Sequence, residues 1–215
     1  MRVPPVQLSA FAVKVCGVRR PQDAEACAAA SVDFAGLNRV VGARRCVAVE
    51  ALADLLAALG LVQPVLLYRD APVAQILSES SQLDISWIQL HGGESLELGR
   101  TLSAAGLRLI RALPDTADRQ TLTDWLDVAE ILLLDGADPG SGQARNWRLP
   151  SGVDPARVWL AGGLTPTNVA QALENAPAAG VDSASGLESD GLLDPQKIAD
   201  FAHAARRAAA TRSQG

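Results

Sequence analysis

Aromatic residues are scarce in this chain: Phe, Trp and Tyr together make up 4% of its 215 residues. Apolar residues nevertheless reach 48%, so a core must be built mainly from Ala, Val, Leu and Ile, which suits a buried parallel sheet covered by helices. Lysine is scarcer still, with Lys14 and Lys197 alone among nineteen basic residues. With a net charge of -5 and scattered arginines, the sequence lacks the basic stripe that nucleic-acid binding requires.

Long apolar runs are also missing. No run approaches the roughly 18 to 20 residues of a membrane span, and the start lacks the charged and apolar regions of a signal peptide. We therefore expect a cytoplasmic protein with no membrane contact. Three cysteines, an odd number without metal-like spacing, argue against a disulfide framework and against zinc, and we expect neither a metal nor a cofactor.

Eight short apolar runs alternate with stretches of helical character along the chain. The predicted strands are residues 11–16, 32–37, 64–68, 85–90, 107–112, 128–134, 158–161 and 180–183. The predicted helices are residues 21–30, 48–59, 72–80, 94–105, 118–125 and 194–210, with one more beginning at Pro166 behind Thr165 as N-cap. A helix for the sixth unit is not apparent within 136–155.

This alternation predicts an α/β fold with a parallel sheet and right-handed crossovers. Eight units in one chain favour a closed (βα)8 TIM barrel over an open doubly wound sheet. We expect a single domain over residues 1–215, with loose tails at about 1–10 and 211–215.

Candidate functional side chains follow the predicted strands, because the carboxyl ends of parallel strands gather at one face of the fold. They are Cys16, Arg45, His91, Arg111, Asp135, Gly162, Gly163, Ser185 and Gly186. These positions are remote in sequence, and the barrel would make them neighbours.

Cys16 and Asp135 are the pair best suited to proton transfer. A thiolate and a protonated carboxyl can act as base and acid on one small substrate. A cysteine at a strand end is equally compatible with a small buried apolar residue, so both interpretations of Cys16 stay open on the residues alone. Lys14 faces the same way as Cys16 along the strand, and we expect it to form an ion pair rather than a Schiff base.

The remaining candidates suit anion binding. Glycines after strands seven and eight of a barrel often bind phosphate through backbone N–H groups, although a tight turn explains each glycine pair equally well. Arg45 can bind a carboxylate bidentately or lie in solvent. His91 either caps the helix that follows or contacts substrate.

Several motifs, taken in chain order, resemble those of the phosphoribosylanthranilate isomerase family of tryptophan biosynthesis. They are Lys14-Val15-Cys16-Gly17-Val18, Gly36 with Arg45, Gln89-Leu90-His91-Gly92-Gly93-Glu94, Leu133-Leu134-Asp135, Ala161-Gly162-Gly163-Leu164-Thr165-Pro166-Thr167-Asn168-Val169, Val181-Asp182 and Ser185-Gly186-Leu187-Glu188. The resemblance extends over nearly the whole chain.

The resemblance implies an Amadori rearrangement without metal or organic cofactor. Asp135 matches the general acid that opens the ribose ring, and Cys16 matches the general base that takes a proton from C2. Arg45 matches the arginine that holds the anthranilate carboxylate. The implied substrate-binding set is Arg45, His91, Gly162, Gly163, Asp182, Ser185 and Gly186. The partner is then a small phosphorylated sugar-amine, and we expect a monomer or a weak homodimer.

Some segments depart from the family pattern. They are Leu37-Asn38-Arg39-Val40, Leu66-Leu67-Tyr68-Arg69-Asp70, residues 139–147 of the loop after strand six, and Ser183-Ala184. Two alternatives therefore stay open: a barrel relative acting on another phosphorylated aminosugar, and a non-catalytic subunit that binds a phosphate ligand or a partner protein.

Overall fold

The computed structural model describes residues 11–136 and 147–212, and its central feature is a closed barrel of eight parallel strands. The barrel strands are β1 (Ala12–Cys16), β2 (Phe34–Asn38), β3 (Gln63–Tyr68), β4 (Trp87–Leu90), β5 (Arg108–Pro114), β6 (Ile131–Asp135), β7 (Val158–Ala161) and β8 (Gly180–Ser183). They follow the chain order around the ring, and β1 closes it by pairing with β8. The predicted (βα)8 barrel is confirmed.

Seven helices surround the barrel in the part of the chain that the structure describes. They are α1 (Pro21–Ala29), α2 (Leu52–Leu59), α3 (Val73–Leu83), α4 (Leu96–Ala104), α5 (Arg119–Leu126), α6 (Val169–Asn175) and α7 (Pro195–Arg212). Between β6 and β7 the described residues form one 3-10 turn, Pro155–Arg157, and no α-helix. No helix within 11–136 and 147–212 has both the length and the apolar character that crossing a bilayer requires.

Alternation along each strand divides its side chains between two cores. Outward residues such as Val13 and Val15 pack under the helices, where Leu and Val are the most frequent residues. Inward residues form a smaller cluster inside the barrel. Three of its ten buried residues are aromatic: the Phe34 ring lies 5.2 Å from Trp87 in an edge-on arrangement and 5.0 Å from Trp159. These rings fill the lower interior, away from the carboxyl ends of the strands.

One glycine makes room for this aromatic layer. Gly180 lies beside Trp159 in the strand register, and a Cβ at Gly180 would stand 2.5 Å from Trp159 Cδ1. A side chain at this position would therefore displace the indole. The core outside the barrel is mainly aliphatic, as the composition predicts, and the lower centre of the barrel is rich in aromatic rings.

One local prediction is wrong. Thr165 does not cap a helix that begins at Pro166, because α6 begins at Val169 and Asn168 occupies the capping position. The Asn168 side chain folds back to accept a hydrogen bond from the Thr165 N–H at 2.8 Å, which makes residues 165–168 a turn. The prediction of one domain with loose tails extends to residues 1–10 and 213–215, which lie outside the described residues, and it stays a prediction.

Candidate active site

A cavity of about 1010 Å³ opens at the carboxyl ends of the barrel strands. Eight of the ten candidate residues line it: Cys16, Arg45, His91, Asp135, Gly162, Gly163, Asp182 and Ser185. They come from β1, β6 and β8 and from the loops that follow β2, β4, β7 and β8. The fold therefore brings together groups that lie up to 169 positions apart in the sequence.

Cys16 ends β1 and faces the cavity above a buried ion pair. Lys14, two residues earlier on the same inward face, is fully buried, and its Nζ lies 3.0 Å from Asp182 Oδ2. Lys14 and Asp182 are direct neighbours in the register of β1 and β8. Burial raises the pKa of the Cys16 thiol above its ordinary value, while Lys14 and Arg45 oppose that rise. The expected ion-pair role of Lys14 agrees with this geometry.

Asp135 ends β6 and is separated from Cys16 around the ring by β7 and β8. Its Oδ2 lies 3.5 Å from His91 Nε2, and both side chains are about one-third exposed to the cavity, at 39% and 32%. On its other side, His91 Nδ1 lies 3.3 Å from Nε2 of the buried Gln89. The site thus places an imidazole beside the predicted acid.

His91 does not cap the next helix, because Ser95 does. The Ser95 Oγ accepts a hydrogen bond from the Leu98 N–H at 3.2 Å and forms the N-cap of α4. Of the two predicted roles for His91, capping is therefore wrong, and the side chain is left facing the cavity.

The turn that carries His91 is fixed from below by Glu94. Its carboxylate accepts hydrogen bonds from the N–H groups of Asp70 at 3.0 Å and Gly92 at 2.8 Å, and it forms an ion pair with Arg111. Arg111 lies within β5, three residues before the strand ends. Its guanidinium donates to the Gly92 carbonyl at 2.8 Å, outside the barrel interior. The prediction that Arg111 faces the mouth is therefore wrong, because its side chain points to the helical layer.

Arg45 reaches the cavity from the loop after β2. Its Nε donates to Glu188 Oε1 at 2.7 Å, and Arg44 Nη2 pairs with Glu188 Oε2 at 2.7 Å. Burial alone would raise the pKa of Glu188, but hydrogen bonds from both arginines outweigh it and hold that pKa below its ordinary value. The stem of Arg45 lies against Gly17, where a Cβ would stand 2.4 Å from Arg45 Cδ.

The glycine loops after β7 and β8 form the far rim. Gly162 and Gly163 have φ values of 83° and 68°, a region that glycine adopts without strain. Ser185 begins a short 3-10 turn that also lines the cavity. Gly186 is different: it does not line the cavity, and a Cβ there would stand 1.9 Å from the Leu164 carbonyl oxygen. Its lack of a side chain is required for the contact between the two loops.

Sequence reasoning missed several polar residues in and beside this cavity. Asn38, Arg69 and Gln89 line it. Glu188 does not line it but holds Arg45, which does, and nothing in the local sequence of Glu188 shows that it pairs with an arginine 143 positions away. Asn38 and Gln89 share the inward periodicity of β2 and β4, and this signal would have found them.

The closed barrel, with its titratable groups gathered at the carboxyl ends of the strands, has the architecture of TIM-barrel enzymes. The family model of N-(5'-phosphoribosyl)anthranilate (PRA) isomerase matches residues 13–204. An N-(5'-phosphoribosyl)anthranilate isomerase of Azorhizobium caulinodans is 36% identical over 214 residues, which cover 94% of each chain. The chain belongs to the PRA isomerase family.

Solved structures agree with this assignment. The crystal structure of TrpF from Jonesia denitrificans is 34% identical, with a TM-score of 0.80 over 92% of this chain and 98% of that one. A phosphoribosyl anthranilate isomerase in complex with reduced 1-(o-carboxyphenylamino)-1-deoxyribulose 5-phosphate is 25% identical, with a TM-score of 0.75 over 92% and 99% of the two chains. The family and the isomerase function predicted from the sequence are confirmed, and the roles of individual residues stay predictions.

Proposed function

We propose that this chain converts N-(5'-phosphoribosyl)anthranilate to 1-(o-carboxyphenylamino)-1-deoxyribulose 5-phosphate, with Asp135 as general acid and Cys16 as general base. The observation that supports these roles most directly is that the two side chains, from strands separated by β7 and β8, line one cavity. A substrate held between them would present its ring oxygen to one side and its C2 proton to the other.

The first step opens the sugar ring. Asp135, protonated at the start, gives its proton to the ribose ring oxygen as the bond from that oxygen to C1 breaks. The nitrogen lone pair forms a C1=N double bond, which leaves a protonated imine. General acid catalysis of this kind contributes roughly 10²- to 10⁴-fold.

The second step uses the thiolate of Cys16. It takes the proton from C2, the C2–H electron pair becomes a C1=C2 double bond, and the imine electrons return to nitrogen. The resulting enolamine becomes the ketone when its C2 hydroxyl loses a proton and C1 gains one. The substrate gains as many protons as it loses, because the reaction is an isomerisation.

Charged groups around the cavity would orient the substrate ends. With Nε occupied by Glu188, Arg45 presents its two terminal nitrogens to the anthranilate carboxylate, the geometry that a bidentate contact requires. Backbone N–H groups at Gly162, Gly163 and Ser185 would receive the phosphate. Asp182 Oδ1 is buried and has no hydrogen-bond partner among the described residues, which suits a sugar hydroxyl.

A second candidate substrate rests on the departures from the family pattern. Asn38, Val40, Leu67 and Arg69 all belong to divergent segments and all line the cavity, so they would contact the part of the substrate that differs between related sugar-amines. Of the divergent loop 139–147, only Trp147 lies within the described residues, and its Nε1 donates to the Ala161 carbonyl at 3.4 Å.

The decisive experiment is a fluorescence assay that follows loss of the anthranilate adduct, with the parent, Cys16→Ala and Asp135→Asn compared. Each variant should lose about 10²- to 10⁴-fold in turnover. Cys46→Ala is the matched control, because that thiol hydrogen-bonds to the Val47 carbonyl at 3.8 Å and does not line the cavity. Equal activity of Cys16→Ala and parent would refute the mechanism.

A binding experiment separates the two substrates. The reduced product analogue should raise the Tm of the parent, whereas another phosphorylated aminosugar should raise it less. The reverse order, together with an inactive parent, would favour the second candidate.

We also propose a cytoplasmic location and a monomer or weak homodimer, which fractionation and sedimentation would test.

A further inference from the structure

Lys14 is an unusual residue to find at the centre of a barrel. Its side chain is 0% exposed, and its ammonium lies directly below the cavity, paired with Asp182 at 3.0 Å. A buried ion pair typically contributes no more stability than well-packed apolar residues of the same volume. Stability therefore does not explain why this pair lies inside the barrel, and its position beneath Cys16 suggests a different purpose.

The thiol and the ammonium approach each other across Gly36. Gly36 lies beside Cys16 in the register of β1 and β2. A Cβ at Gly36 would stand 2.9 Å from Cys16 Sγ and 3.2 Å from Lys14 Nζ. These distances put the two atoms within about 6 Å of each other, the range over which an opposite charge shifts a titration by one or more units.

Other charges face Cys16 as well. Arg45 approaches from the loop after β2, Asp182 lies on β8, and Asp135 and His91 face the same cavity from the opposite side. Burial lowers the pKa of Lys14, but Asp182 and Cys16 together hold it above its ordinary value. Lys14 therefore remains a cation in its buried position.

We propose that Lys14, anchored by Asp182, is a positioning residue that stabilises the thiolate form of Cys16 and so sets the pH range in which the base works. This inference rests on the proposed role of Cys16. It extends that role, because it assigns the buried ion pair to the chemistry rather than to the stability of the barrel.

The two members of the pair should act with opposite sign. Removing the Lys14 charge leaves the thiolate buried beside Asp182, so the thiol should ionise at higher pH. Removing the Asp182 charge leaves the thiolate as the counter-ion of Lys14, so the thiol should ionise at lower pH. An ion pair without electrostatic contact with the thiol would not produce this opposition.

The test is the rate of Cys16 alkylation by iodoacetamide as a function of pH, with the modified residue identified by mass spectrometry. In Lys14→Met the pH midpoint of alkylation should rise by about one pH unit or more. At pH values below the midpoint, each unit of this rise should slow alkylation about tenfold relative to the parent. In Asp182→Asn the midpoint should fall. Arg206→Gln is the control: it removes a cation of α7 that pairs with Asp33 at 3.0 Å, and it should leave the midpoint unchanged.

A Lys14→Met profile that coincides with that of the parent would overturn the inference, as would an upward shift in Asp182→Asn. If Lys14→Met fails to fold, a second comparison replaces it. Asp182→Asn and the double variant Lys14→Met/Asp182→Asn differ only at position 14, and the double variant should have the higher alkylation midpoint. Equal midpoints would overturn the proposal. Alkylation needs no substrate. Expected shifts in an enzyme without turnover would therefore contradict the proposed function and leave this inference standing.

Discussion

The lower and upper halves of the barrel interior are built from the same strands and yet have opposite character. Below, Phe34, Trp87 and Trp159 form an aromatic layer with ring centroids 5.0 to 5.2 Å apart along the Phe34 contacts. Above, Lys14 on β1 and Asp182 on β8 bring two charges into the interior. Strand β4 carries both characters, because Trp87 belongs to the aromatic layer and Gln89, two residues later, lines the cavity. The inward face of a single strand can thus serve stability at one end and the site at the other.

The largest effects are expected when one side chain is truncated in each half of the barrel interior. Trp159→Ala empties the lower layer, so it should lower the free energy of unfolding by about 3 to 5 kcal/mol, while the folded fraction keeps its kcat. Cys16→Ala should abolish most turnover with a far smaller change in stability. Urea unfolding and the fluorescence assay measure both. A Trp159→Ala enzyme of unchanged stability would break the comparison.

Gly36→Ala sharpens the comparison at the boundary between the two halves. The new methyl group would stand against Cys16 Sγ at 2.9 Å and Lys14 Nζ at 3.2 Å, so these atoms must move apart. We expect the free energy of unfolding to fall by about 1 to 3 kcal/mol from overpacking. We also expect kcat to fall, by at least the factor to which the same free energy corresponds.

The control for this substitution is Gly93→Ala, where the nearest atom, Asp70 Oδ1, lies at an ordinary contact distance of 3.5 Å. Gly93→Ala should have little effect in either assay. Full kcat in Gly36→Ala would show that the spacing of thiol and ammonium does not matter.

Glu188→Gln tests the orientation of a group at the rim of the upper half. Losing the carboxylate removes the ion pair at Arg45 Nε, so KM should rise by roughly tenfold, about 1.4 kcal/mol of binding, with little change in kcat. Glu130→Gln is the matched control, because its partner Arg108 lies 2.6 Å away at the opposite end of the barrel. A drop in kcat with constant KM would instead place Glu188 in the chemical step.

The smallest effect concerns a charge outside the interior. Burial raises the pKa of Glu79, but hydrogen bonds from Arg39, Gln75 and Tyr68 outweigh it and lower that pKa below 4.5. The contact therefore stabilises the fold at pH values above the pKa of Glu79 in the unfolded chain. This stabilisation is lost as the pH falls through the lower pKa that Glu79 has in the folded protein. The stability difference between parent and Glu79→Gln, about 1 kcal/mol or less, should shrink in urea unfolding below about pH 4.5. A difference that grows on acidification would reverse the assigned sign.

The sequence predicts the barrel well because strand and helix periods are local properties. Cys16 and Asp135 could be found for the same reason, since each directly ends an apolar run. The expectation for Arg111 failed because it considered only the position near a strand end. Arg111 alternates with the inward residues Ile110 and Ala112, so its guanidinium lies under the helices, over the Trp125 ring. The cap at Thr165 failed because the Asn168 side chain satisfies the Thr165 N–H and delays the helix.

Long-range pairs were also out of reach. Whether Glu188 meets Arg45 depends on how the loops after β2 and β8 approach each other, which no local pattern records. The aromatic layer depends similarly on three strands contributing one ring each, so a composition of 4% aromatics does not show that three of these rings meet inside the barrel.

The shared carboxylate of Glu188 has a consequence for anyone altering the specificity of this enzyme. Because Arg44 and Arg45 hold the same side chain, a change at one residue redistributes the hydrogen bonds of the other. The effects of paired substitutions should therefore be non-additive, and libraries that vary positions 44, 45 and 188 together should contain active combinations that stepwise mutation does not reach.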